Sequence, residues 1–114
     1  MTTFEDREHA FEAKFAHDEE FRFLVAARRD KLFAHWAAAE SRISGADEEA
    51  LVKTVLAIPN GPGHHEALLR HVAGFLSAHG GETSHANLSN ALDKCGRDAH
   101  QQLIEKPPEH SEVI

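Results

Sequence analysis

The chain has 114 residues, 41% hydrophobic and 27% charged, with a formal charge of −7, a composition that suits one folded domain with a modest core and excludes both a disordered chain and two ordinary domains. The acidic balance makes nucleic acid and anionic membrane poor partners, and a single cysteine excludes an internal disulfide. No apolar run approaches the length of a transmembrane helix, and the acidic N-terminus is opposite in charge to a secretory signal, so a cytoplasmic protein without direct membrane insertion is expected.

Residues 1–20 read as an amphipathic helical extension. At about 100° per residue, Phe4, Phe11 and Phe15 fall within an arc of roughly 40°, while charged residues occupy most of the remaining circumference. Thr2 with Glu5 and Thr3 with Asp6 each approximate a capping box, and acids in the first turn complement the helix dipole. Seven acids against Arg7 and Lys14 put −5 of the net charge in this segment. Three phenylalanines make no core by themselves, and a lone helix of this length is marginal in water. The ridge therefore requires an apolar surface elsewhere. By spacing alone, a fifth helix packed on the same chain and a helix directed at a partner are equally good readings.

Beyond Glu20 the apolar phase shifts by about a quarter turn. Phe21, Leu24, Val25, Arg28, Leu32, Trp36, Ala39 and Ile43 continue at helical spacing to Gly45, which is expected to end this long helix. Asp47 is a plausible cap for a short helix carrying Leu51, Val52, Val55, Leu56 and Ile58, broken by Pro59-Asn60-Gly61-Pro62-Gly63. His64 to His79 reads as a third helix with Leu68, Leu69, Val72, Phe75 and Leu76 inward and Gly80 as a left-handed C-cap. Thr83 or Ser84 can cap a last helix with the stripe Leu88, Ala91, Leu92, Cys95, Ala99 and Leu103, which Pro107-Pro108 stops. No segment alternates with period two. The expected fold is all-α: an extension over 1–20, a bundle of four antiparallel helices over 21–106 with Leu24, Leu32, Trp36, Leu68, Val72, Phe75, Leu88 and Leu92 in its core, and a flexible tail over 107–114.

Candidate chemistry is sparse. His64, His65, His71 and His79 invite a metal reading, but His65-Glu66-Ala67-Leu68-Leu69 has leucine where a zincin needs its second histidine, so no metal is expected and solvated imidazoles are the simpler account. Cys95 lies on an apolar stripe, where cysteine acts as a small hydrophobe more often than as a redox thiol. Trp36 reads as a core anchor rather than a ligand platform. Arg28, Arg29 and Lys31 form a basic cluster, but without a Gly-Lys-Ser or Gly-Lys-Thr loop there is no P-loop, and their reading is a solvated face or pairing with acids. No nucleophile elbow and no enclosed acid pair is present. The expectation is a non-enzyme with no catalytic residue and no cofactor.

The run Phe4-Glu5-Asp6-Arg7-Glu8-His9-Ala10-Phe11-Glu12-Ala13-Lys14-Phe15-Ala16-His17-Asp18-Glu19-Glu20 closely resembles the N-terminus of the zeta subunit, the ATPase inhibitor of alphaproteobacterial ATP synthases. Arg28-Arg29-Asp30-Lys31-Leu32 and Trp36-Ala37-Ala38 are similar to the next block of that family, and beyond about Ile43 the likeness is loose. The resemblance implies that the extension is the inhibitory element. It would insert as a helix into the catalytic head of F-type ATP synthase, between an α and a β subunit and against the γ shaft, and block hydrolysis while the bundle stays outside. The residues it assigns to that contact are Phe4, Glu5, Asp6, Arg7, Glu8, Phe11, Glu12, Lys14 and Phe15. It also implies a chain that is monomeric when free and peripherally associated with the membrane-bound enzyme. The alternative, from another class, is a small helical adaptor that keeps the extension and binds a different protein.

Overall fold

The computed structural model describes residues 19–81 and 83–106, and these form four helices and no strand. The helices are α1 (Glu19–Glu40), α2 (Ala46–Leu56), α3 (His64–Ala78) and α4 (His85–Glu105). The phenylalanine ridge over residues 4–15 and the tail over 107–114 lie outside the described residues.

The helix ends follow local backbone chemistry. α1 closes in a Schellman motif: Ile43 N donates to Ala38 O at 2.8 Å and Arg42 N to Ala39 O at 3.1 Å, with Arg42 itself left-handed at φ 57°. The stop is thus three residues before Gly45, which instead occupies the N-cap of α2 without a side-chain cap. Asp47, expected as that cap, lies in the first turn, where its charge still complements the dipole. α3 ends by the same device with a better residue. Gly80 is left-handed at φ 80°, and Gly81 N donates to Leu76 O at 2.8 Å. Of the two candidate caps for α4 the structure selects Ser84, whose hydroxyl accepts from Asn87 N at 3.1 Å. Lys106, held out of the helical region by the proline that follows it, ends that helix at φ −132° and ψ 80°.

α1 touches each of the other three helices and makes its most extensive contact with α4. Its contacts leave in three directions about the axis: Phe21, Arg28 and Arg29 meet α4, Asp30 meets the start of α3, and His35 meets α2. A helix enclosed in this way needs apolar or small residues around its circumference, so a single stripe cannot describe it. The main core gathers Phe33, Ala34, Ala37 and Ala38 of α1, Leu51 and Val55 of α2, Leu68, Leu69, Val72 and Leu76 of α3, and Leu88, Leu92 and Cys95 of α4. A smaller cluster joins Phe21 to Leu103 and Ile104 where the start of α1 meets the end of α4.

Four of the eight expected core residues, Leu68, Val72, Leu88 and Leu92, are buried. Leu24, Leu32, Trp36 and Phe75 are only half-buried, packed against the margins of the two clusters. At about 100° per residue, the buried set Asp30, Phe33, Ala34, Ala37 and Ala38 is centred roughly half a turn from the stripe through Leu24, Leu32, Trp36 and Ile43. Trp36 stacks on Phe33, with ring centroids 5.5 Å apart and planes 6° from parallel, so the fully buried phenylalanine is the anchor and the indole its cover. Ala39, placed on the expected stripe, is exposed.

Candidate functional site

The nine residues assigned to a partner contact, Phe4, Glu5, Asp6, Arg7, Glu8, Phe11, Glu12, Lys14 and Phe15, lie outside the described residues. What the structure describes is the start of α1, which follows that segment in the chain. Phe21 is buried against Leu103 and Ile104, its ring meets the His100 ring edge-on at 5.6 Å, and Leu24 and Val25 close the cluster at its rim. One turn further on, Arg28 Nη1 donates to Gln102 Oε1 at 2.9 Å. The beginning of α1 is therefore held along one flank by the end of α4. Its other flank carries Phe23, 57% exposed and the most exposed large hydrophobic residue described.

The basic cluster divides. Arg28 is spent on Gln102, and Arg29 Nε donates to Asp30 Oδ1 at 2.9 Å while its methylene stem crosses Gly96 of α4. Asp30 is the buried acid at the heart of this region, and its second oxygen lies 2.7 Å from His64 Nε2. Sequence reading passed over Asp30 because the expected stripe ran along another face of α1. The signal was present, since Asp30, Phe33, Ala34 and Ala37 share a face at i, i+3, i+4 and i+7.

Three of the histidines, His64 among them, make separate polar links between helices, and His79 bonds within its own. His35 Nδ1 pairs with Glu48 Oε2 at 2.6 Å, joining α1 to α2. Thr54 Oγ1 donates to Leu51 O and lies 2.9 Å from His71 Nε2, joining α2 to α3. His79 Nδ1 donates to Phe75 O at 2.8 Å and rests on the Phe75 ring at 4.3 Å. Among the described residues no three of His, Cys, Asp and Glu converge as metal ligands would. The links between helices made by His35, His64 and His71 depend on partners 13 to 34 positions away, while His65, His71 and His79 are exposed at the surface, as solvated imidazoles would be.

Cys95 is buried in the main core, and burial first, then the Asp98 carboxylate, pushes its thiol up from the ordinary value. A thiol kept protonated in this way is a packing group and a poor nucleophile. Trp36, with Glu40, Leu76, Gly81, Thr83, Asn87 and Ala91, lines an open groove in which no acid and base are paired. Among the described residues no helix is long and apolar enough to cross a membrane.

Comparison with curated proteins and with solved structures gives no match. The family described as ATPase inhibitor subunit zeta has a model that matches residues 1–102 of the 114, a span that takes in the phenylalanine ridge and nearly all of the helical bundle. The chain belongs to this family of inhibitor subunits, which regulate an ATPase and are not themselves enzymes.

Proposed function

We propose that the chain restrains ATP hydrolysis by an F-type ATP synthase through residues 1–20, which enter the catalytic head as a helix between an α and a β subunit and against the γ shaft, while residues 21–106 remain outside as a bundle. The observation that carries this reading is the family match across residues 1–102, which includes the segment bearing Phe4, Phe11 and Phe15. Energetics supports it. Burying each phenylalanine is worth about 1.5–3 kcal/mol, against roughly 2–5 kcal/mol for ordering a segment on binding, so the ridge can hold without making release impossible. Glu5, Asp6, Arg7, Glu8, Glu12 and Lys14 then set orientation and register more than affinity. Trapping by rotation in the hydrolytic direction and expulsion by rotation in the synthetic direction gives one-way inhibition. On this reading the chain works in the cytoplasm, at the peripheral face of the membrane-bound enzyme, and is monomeric when free. The buried contact of Phe21 with Leu103 and Ile104 supports it too, since the segment then leads from an anchored helix.

The test uses the synthase of the source cell, with hydrolysis measured under turnover and synthesis driven by a proton gradient. Wild-type chain should slow hydrolysis far more than synthesis. Phe11→Ala with Phe15→Ala, and a chain starting at Phe21, should both lose that effect, while the shortened chain still unfolds cooperatively. Replacing Glu5 and Glu8 by glutamine should act mainly on association rate and salt dependence. Undiminished inhibition by the shortened chain would remove residues 1–20 as the inhibitory element. No inhibition by wild type would leave the adaptor reading in its place.

A further inference from the structure

Asp30 is the one polar or charged side chain among the described residues that sits in the buried set beside the apolar core and Cys95, at 4% exposure. Its Oδ1 accepts from Arg29 Nε at 2.9 Å, and its Oδ2 lies 2.7 Å from Nε2 of His64, whose side chain is only 12% exposed. The other ring nitrogen of His64, Nδ1, lies 2.8 Å from the carbonyl oxygen of Pro59. A carbonyl can only accept, so Nδ1 carries a proton. Two lone pairs cannot face each other at 2.7 Å, so a second proton lies between Nε2 and Oδ2. When both of those protons are on the ring, Asp30 is a carboxylate between the Arg29 guanidinium and the His64 imidazolium.

We propose that Asp30 and His64 form a proton-controlled latch that ties the connection between α2 and α3 to α1, closed while both ring nitrogens of His64 carry protons and released when one of the two is lost. A neutral ring has one N–H for two acceptors, so one contact must open. Asp30 is buried, whereas Pro59 is exposed and its carbonyl can turn to water. Leaving one oxygen of a buried carboxylate without a donor is the more costly option. The ring therefore stays with Asp30, and Pro59 is let go. The connection is suited to a second position, since Gly61 and Gly63 take φ values of 110° and 86°.

Three elements packed around the pair carry charged or titratable groups. α1 supplies Asp30 and Arg29, and α3 supplies the neighbouring His65. α4 supplies Asp93, Arg97 and His100, which line the groove that Arg29 and His65 share. α2 contributes no bonded side chain to the pair among the described residues; only the Pro59 carbonyl reaches it from that side.

The test is a histidine-ring nitrogen titration by NMR on the full chain, with amide exchange followed at Ile58 and His64 across about pH 5 to 8, the range in which histidine charge ordinarily changes. Their amides donate to Val55 O and Gly61 O at 3.2 and 3.1 Å. At the acid end both ring nitrogens of His64 should carry protons. As pH rises one proton should be lost, with a fall in protection at the two amides on the same midpoint. His64→Gln keeps a donor for Asp30 and cannot titrate, so its loop protection should be equal at both ends. If that variant does not fold, the wild-type titration decides alone. A ring singly protonated throughout, a ring that keeps both protons to the alkaline end, or a proton lost without change in the loop would each overturn the latch.

Discussion

Replacing the anchor rather than its cover is the sharpest test of how this bundle is held together. Phe33 is fully enclosed, while Trp36, stacked on it, is half-buried at the edge of a groove. Phe33→Ala removes a ring surrounded on all sides and leaves a cavity that α1, fixed by three neighbouring helices, cannot collapse. The expected cost is about 3–5 kcal/mol, a large part of a total that for natural domains is about 5–15 kcal/mol. Trp36→Ala forfeits only the buried part of its side chain and gains slightly in helix propensity, so about 2 kcal/mol is expected. Urea unfolding followed by helical circular dichroism measures both, and because the chain has a single tryptophan, indole fluorescence gives a second probe for wild type and Phe33→Ala. Equal urea dependence in the three chains would keep the comparison within two-state behaviour. A Trp36→Ala cost that equals or exceeds that of Phe33→Ala would refute the assignment of anchor and cover, and with it the face on which α1 packs.

Two further outcomes follow from particular positions. Arg42, left-handed at φ 57° in the turn that ends α1, is strained where glycine is not, so Arg42→Gly should raise stability by about 1 kcal/mol, read as a higher urea midpoint; a fall would show that the arginine side chain holds the turn. The Cys95 thiol, pushed up by burial and then by Asp98, should react with iodoacetamide only as fast as the protein unfolds. Because the folded chain binds that proton more tightly than the unfolded one, stability from this group is complete below the ordinary thiol value of 9.0 and is lost as pH rises through the folded value. Alkaline unfolding midpoints should thus fall more steeply for wild type than for Cys95→Ala, and parallel curves would contradict the shift.

What the amino-acid order determined by itself is whatever depends on neighbours a few positions apart. The helical period over Leu68, Leu69, Val72 and Leu76 placed α3, proline and glycine over 59–63 broke it from α2, and Gly80 and Ser84 marked a C-cap and an N-cap that the backbone adopts. The link to an inhibitor family also rests on local order, a run of seventeen residues before the bundle begins, and the family match spans it. Tertiary structure alone decided which side of α1 is buried. Apolar residues occur around that helix, and periodicity cannot rank two faces when three other helices enclose it; only the placement of α2, α3 and α4 puts Phe33 and three alanines inside and leaves Leu32 and Trp36 at the margin. The same holds for Asp30, an acid whose burial becomes tolerable only because Arg29 beside it and His64, 34 positions later, bring charge to its two oxygens. A buried carboxylate is a property of the pair, and pairing across that distance is set by how the helices pack.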